Sequence, residues 1–199
     1  VSRTITVLDR DRAGSRLAIA GSLKSGTHES WPKRGRDDKS TRNTYREDGM
    51  TIEAMVQELW DREKIRELAY QYGLAIEAQD EERMASLFTE DGSVDFSAAG
   101  RGVMRGHKAI AEFYRSTWPL RVKPFFTNHV IRVDGDRATG VCSVQNNATR
   151  GDQSLIGAGR LHDEYEKVGG EWKFKSRRVE LFYFVPLSEG WANSAPSKL

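Results

Sequence analysis

The sequence predicts an α+β fold, a cone-shaped curved antiparallel sheet wrapped on N-terminal helices. Three observations predict it. Apolar residues recur at helical spacing from Thr51 to Phe88. From about residue 125 to residue 185 the spacing changes to the two-residue alternation of strands. Asp134-Gly135 and Gly169-Gly170 interrupt that alternation, and such dipeptides supply the positive φ that tight hairpin turns require.

The elements follow in order. Residues 1–49 show little periodicity and hold one short apolar cluster, Leu17 to Ala20. They read as a disordered tail or a non-native upstream extension, with Met50 as the natural start. Ile52, Met55, Val56 and Leu59 then form a helical stripe. Asp61 reads as a cap or turn before a second helix carrying Ile65, Leu68, Ala69, Tyr72, Ala75 and Ile76. Asp80 caps a third helix with Met84, Leu87 and Phe88. Val94 and Phe96 alternate as a short strand, and Gly100, Gly102 and Gly106 bracket a turn. Residues 107–118 place Ile110, Phe113 and Tyr114 on one helical face before Pro119 and Pro124 break it. Strands are expected at about 125–134, 137–149, 153–168 and 172–185. The folded domain therefore spans 50–192, and 193–199 is a flexible C-terminus.

In the last strand, alternation puts Arg177, Val179 and Leu181 on one face. Trp172, Phe174, Arg178, Phe182 and Phe184 fall on the other. Apolar groups on both faces imply two covers, the helices and a second subunit, so a homo-oligomer (dimer or trimer) is expected.

Composition narrows the function. Residues 1–49 carry 11 Lys/Arg against 7 Asp/Glu, whereas the remainder carries 20 against 22. The folded part lacks the basic footprint of a nucleic-acid binder, so no nucleic-acid partner is expected. No apolar run approaches the ~20 residues that span a bilayer, so no membrane partner is expected. One cysteine, Cys142, excludes an internal disulfide and fits a cytoplasmic protein. Four scattered histidines argue against a structural zinc site. No phosphate-binding glycine loop or nucleophile elbow is visible. Metal and cofactor are both expected to be none.

The segments LAYQYGLAIEAQDEERMASLF, DGDRATG, and QSLIGAGRLHDEYEKVGGEWKFKSRR followed by FYFVPL resemble the SnoaL-like branch of the nuclear transport factor 2-like superfamily. Within it the chain is similar to the lindane dehydrochlorinase and bile-acid 7α-dehydratase group, over about 140 residues from Thr51 to Trp191. The resemblance implies a deep pocket between helices and sheet. It also implies an acid–histidine pair that takes a proton from carbon while chloride or hydroxide leaves. The family carboxylate falls on Glu77, its tyrosine on Tyr72 and its pocket arginine on Arg177. The chain departs from the pattern at the histidine, whose place four residues before Asn128 is held by Pro124. A shifted gap would place Phe126 there instead. A further family aspartate falls on Asn146, which cannot ionise.

These residues have plain readings as well. Glu77 is either a buried carboxylate of raised pKa, able to act as a base, or an exposed charge at a helix end. Tyr72 is either a ligand contact or a core tyrosine. Arg177 faces inward or out, its neighbour Arg178 taking the opposite side, and an inward Arg177 needs Glu77 or an anionic ligand as partner. His129 lies on the wrong face for a base unless a bulge or register slip intervenes. His107 reads as a capping or surface group, His162 as exposed and Cys142 as a small core residue.

The expected function is a cofactor-independent lyase or isomerase acting on a small hydrophobic molecule. Glu77, Tyr72, His129 and Arg177 would be catalytic. Trp118, Phe126, Asn128, Asn146, Val179 and Leu181 would bind substrate. The alternative is a non-catalytic ligand-binding or scaffold domain of the same fold, which the missing histidine favours.

Overall fold

The helical periodicity after Thr51 becomes one helix rather than two. The computed structural model describes residues 50–192, so the expectations for 1–49 and 193–199 lie outside the described residues. Helix α1 runs unbroken over Ile52–Ala78. Thr51 caps it by accepting from the Ala54 amide at 3.2 Å. It ends where Gln79 turns left-handed at φ 56. Asp61 breaks nothing. It is buried, and its carboxylate accepts from Trp172 Nε1 at 2.8 Å and Gln57 Nε2 at 3.1 Å and pairs with Lys167 at 2.7 Å. A charge so satisfied is tolerated inside a helix. The stripe expected from Ile52 to Leu59 does not reach the core. Val56 and Leu59 are 59% and 63% exposed, and the packed face starts at Ile65.

Helix α2 (Glu81–Ser86) is capped by Asp80, as expected, through the Arg83 amide at 2.9 Å. Strand β1 (Phe88–Asp95) begins earlier than the Val94–Phe96 alternation suggested. A short 3-10 turn (Ser97–Ala99), strand β2 (Val103–Arg105) and helix α3 (Gly106–Thr117) follow. The meander is β3 (Leu120–Asp134), β4 (Arg137–Arg150), β5 (Gln153–Val168) and β6 (Glu171–Pro186). The sheet order is β2-β1-β6-β5-β4-β3. Only the β1–β6 pair is parallel. The Gly169-Gly170 turn has both residues at positive φ, 60 and 85, which only glycine adopts without strain.

On β3 and β6, three bulges decide which side chains face the helices. Strand β3 fits two residues, Asn128 and His129, between the pairs Thr127–Ser143 and Val130–Val141. Asn128 takes φ 55 there, and asparagine tolerates that conformation better than most residues. Strand β6 carries an extra residue at Lys175 and another at Phe182. Each bulge flips the alternation. Trp172 and Phe174 before the first, Arg177, Val179 and Leu181 between them, and Phe184 after the second are therefore all buried. Trp172, Phe174 and Phe184 thus join Arg177, Val179 and Leu181 on the inner face instead of the opposite one, whereas Phe182 stays on the outer face. Arg178 points outward, as expected.

The main core lies between this inner face and the helices. It joins Ile65, Leu68 and Tyr72 of α1 to Ile110 and Tyr114 of α3 and to Phe88, Ile131, Trp172 and Phe174 of the sheet. Full burial of each large apolar side chain contributes roughly 1.5–3 kcal/mol. No described helix is long and apolar enough to cross a membrane.

Candidate active site

A cavity of about 300 Å³ opens between α1, α3 and the inner face of the sheet. The helices supply Tyr72, Ile76, Phe113 and Tyr114, and the strands supply Phe126, Val144, Asn146, Val179, Leu181 and Phe184. Trp118 and Pro119 close one side. Trp118 is held in place by its indole N–H, which donates to Glu81 Oε2 at 3.0 Å, and by Gln79 Nε2, which donates to its carbonyl at 2.7 Å. Glu81 also binds Arg115 at 2.8 Å. The Trp118 and Arg115 hydrogen bonds draw its pKa down to about 2. Gly73 lets β3 approach α1, since a Cβ there would meet Phe126 at 2.9 Å.

Among the lining residues are four titratable groups, Tyr72, Tyr114, Arg101 and Arg150, and no Asp, Glu or His. The hydroxyls of Tyr72 and Tyr114 share a very short hydrogen bond. Burial raises the pKa of both, outweighing the Arg177 charge that pulls Tyr72 the other way, and Tyr114 is raised further by Tyr72. Both are therefore neutral hydrogen-bond donors near pH 7. Asn146 is half-buried, and its amide takes no hydrogen bond from the described residues.

Behind Tyr72 lies a buried ionic cluster. Arg177 is fully buried and grips Asp163 with two parallel bonds, Nε to Oδ1 and Nη2 to Oδ2, both 2.8 Å. Tyr165 donates to Asp163 Oδ2 at 2.8 Å. The guanidinium carbon stands 4.1 Å from the Tyr72 ring centre and 4.0 Å from that of Phe174. Burial opposes the charge, but Asp163 holds the Arg177 pKa well above its ordinary value. Its Nη1 is buried without a partner.

The sequence expectations sort plainly against this geometry. Tyr72, Trp118, Phe126, Asn146, Val179 and Leu181 line the cavity together. Arg177 faces inward as expected, but it lies behind the wall and its partner is Asp163. Glu77 is a correction, being exposed and outside the cavity lining. At 100° per residue it lies a full residue step around α1 from Ile76, the last cavity residue of that face. Asn128 is a second correction. It is exposed at the bulge, and its amide donates to Ser143 Oγ at 3.3 Å.

His129 is turned inward by the bulge, which the sequence named as its condition. It does not line the cavity. Its Nε2 is buried without a partner, and its ring meets Tyr70 edge-on at 6.0 Å. Burial, then the charges of Arg177 and Arg66, lower its pKa below 6.5 and keep it neutral. His107 bonds the Phe88 carbonyl at 2.9 Å, and His162, half-buried rather than exposed, bonds Glu180 at 2.7 Å. Cys142 is buried, and burial pushes its thiol up to about 11.

Asp163, Tyr114 and Tyr165 were missed as site residues. A signal existed for Asp163. Strand β5 has no extra residue, and Asp163 is in phase with the buried Gly159, Leu161 and Tyr165.

Comparison with known proteins agrees with this architecture. The SnoaL-like domain family matches residues 57–178. The gamma-hexachlorocyclohexane dehydrochlorinase of Sphingobium indicum is 28% identical over 136 residues, 65% of this chain and 86% of the relative. A protein of unknown function from Mycobacterium tuberculosis has a structure matching at TM-score 0.58 with 32% identity, over 63% of this chain and 75% of that one. The hexachlorocyclohexane dehydrochlorinase LinA-type3 of Novosphingobium barchaimii LL02 matches at TM-score 0.60 with 25% identity, over 71% and 97%. With an inner sheet face, two helices and an apolar cavity between them, this chain belongs to the SnoaL-like domain family.

Proposed function

We propose that the domain is a lyase or isomerase that takes a small hydrophobic compound into the cavity and polarises one of its oxygens. The tyrosine pair carries this reading. Two neutral hydroxyls share one hydrogen bond in a mostly apolar wall, with a buried cation stacked behind one of them. One hydroxyl donates to the other, and the second proton remains available to a ligand carbonyl or hydroxyl. Charge passing to that oxygen, or to Tyr72 if its proton moves, develops close to Arg177. Such fixed donors and charges are strongest in a site that excludes water. The similar dehydrochlorinases are named for eliminations, which fits the same class.

An elimination also needs an acceptor for the carbon-bound proton. His129 is the candidate, neutral and with a free Nε2. Because it does not line the cavity, its proton must arrive through water or through a turn of the side chain.

A second reading has its own support. The lining residues hold no carboxylate or imidazole, which favours a domain that binds its ligand and leaves it unchanged. One experiment separates the two. The purified protein is incubated with 4-hydroxy-4-phenyl-2-butanone, a β-hydroxy ketone that loses water to a conjugated enone detectable by ultraviolet absorbance. In the elimination a C–H and a C–O bond break, a C=C bond forms, and the proton and hydroxide leave as water. Turnover that Tyr72→Phe and His129→Ala each reduce at least about 100-fold, the scale of a lost acid or base, supports the enzyme. Binding of this ketone by calorimetry without turnover supports the ligand-binding domain. Neither turnover nor binding counts against both readings for this compound class.

A further inference from the structure

We infer that the cavity recognises an amphiphilic acid, an apolar body carrying a carboxylate that sits at the mouth between Arg101 and Arg150. The inference rests on the cavity reading above and names its ligand class. Arg101 and Arg150 both line the cavity, yet both are exposed, so they stand where it meets solvent. Arg101 is set between two glycines of left-handed backbone, Gly100 at φ 75 and Gly102 at φ 77, and its amide donates to the Phe96 carbonyl at 3.1 Å. Arg150 is the last residue of β4, opposite Leu120 and just before the Gly151 turn at φ 61. Both guanidiniums are therefore carried on backbone fixed by pairing or by tight turns.

Neither arginine is paired with a carboxylate among the described residues, and the lining residues include no Asp or Glu to neutralise them. This separates them from the other cavity-associated arginine, Arg177, which is matched by Asp163. Two uncompensated cations at the rim of a low-dielectric cleft focus a positive potential on its entrance. A guanidinium offers a planar fork of donors that fits a carboxylate. Behind the rim, the rings of Phe96, Phe113, Trp118 and Phe184 offer only apolar contact to the rest of the molecule. The charged elements thus fall at the mouth, apart from the neutral tyrosine pair and the Asn146 amide.

The test compares 2-naphthylacetate with 2-naphthylacetamide, which differ in charge and scarcely in shape, by isothermal titration calorimetry at low salt. The acid is expected to bind roughly five- to tenfold tighter, the scale of two partly exposed charge pairs. The Arg101→Gln/Arg150→Gln variant is expected to bring the acid to within about twofold of the amide and to leave the amide unchanged, the same convergence that added salt produces in the wild type. Both positions are exposed, so the variant retains the core. Equal affinity for the two compounds, or a preference that survives the double substitution, overturns this inference and leaves the cavity reading standing. Binding of neither compound overturns the cavity reading and this inference with it.

Discussion

Replacing Asp163 by Asn leaves the shape of the inner sheet face almost intact and removes its balancing charge. Both side chains of the Arg177–Asp163 pair are fully buried, and the two bonds between them are 2.8 Å each. Loss of the carboxylate strands a cation in the core, because Arg177 cannot release its proton and no other described carboxylate pairs with it. Breaking a buried pair from one side costs about 3–5 kcal/mol. For a domain of this size each kcal/mol shifts Tm by about 3–4 °C, so a loss of about 10–20 °C is expected. Thermal unfolding followed by circular dichroism measures it. A companion variant, Asp163→Leu/Tyr165→Phe/Arg177→Met, removes the whole cluster, including the tyrosine hydroxyl that would otherwise lose its acceptor. It should recover most of the lost stability, since apolar replacements of a buried ion pair are often neutral or better. A Tm loss below about 3 °C for Asp163→Asn would refute the reasoning. So would a triple variant less stable than the single one.

Three further outcomes are expected. The folded protein resists protonation of His129, whereas the unfolded chain accepts a proton near pH 6.5. Its contribution to stability is therefore full above that pH and is lost as pH falls below it. Urea unfolding between pH 7.5 and 5.5 should show wild-type stability falling more steeply than that of His129→Gln; equal slopes would place the imidazole in solvent. Gly159→Ala should destabilise by about 1–3 kcal/mol, since a Cβ there collides with the Glu180 carbonyl, a backbone atom pinned beside the Phe182 bulge. Denaturant midpoints at constant m would show it. Asp61→Ala should cost about 1–3 kcal/mol by leaving the Trp172 indole N–H without its acceptor. Asp61→Ala/Trp172→Phe should show the coupling in a double-mutant cycle.

The fold was legible because its signals are local. The Gly169-Gly170 turn and the helix end just before Pro119 mark boundaries that need no tertiary information. Strands β4, β5 and β6 start and end within a residue or so of where alternation placed them. The helix that was split at Asp61 failed for a tertiary reason. An aspartate before an apolar stretch has the appearance of a cap. Its actual partners, Trp172 and Lys167, lie more than a hundred residues away on the last hairpin. The same limit explains Ile52 to Leu59, since periodicity reports which face is apolar and says nothing about whether anything packs against it.

On the strands, directions were legible within each uninterrupted run of alternation, which is why Phe126, Asn146, Val179 and Leu181 were expected on the cavity side. Asn146, Val144, Leu161 and Asp163 sit on strands β4 and β5, neither of which carries an extra residue of its own, and their directions follow from counting in twos. On β3 and β6 one extra residue reverses every direction beyond it. Nothing in KFKSRR marks Lys175 as the unpaired position, and nothing in LFYF marks Phe182. Asn128 gave a weaker hint, because asparagine is among the few residues that tolerate left-handed backbone inside a strand. The bulges are therefore what gather most of the large side chains of β6 on one wall. They set Phe174, Arg177, Leu181 and Phe184 on a single concave surface, and they bring His129 to the inner side although its number alone would send it out. Deleting Asn128 would leave His129 opposite the buried Cys142, so the imidazole should stay on the inner side with Ile131. Its titration by NMR should therefore stay below the ordinary 6.5. A return to that value would mean that the bulge geometry itself, rather than strand register and packing against Tyr70, holds the ring inward.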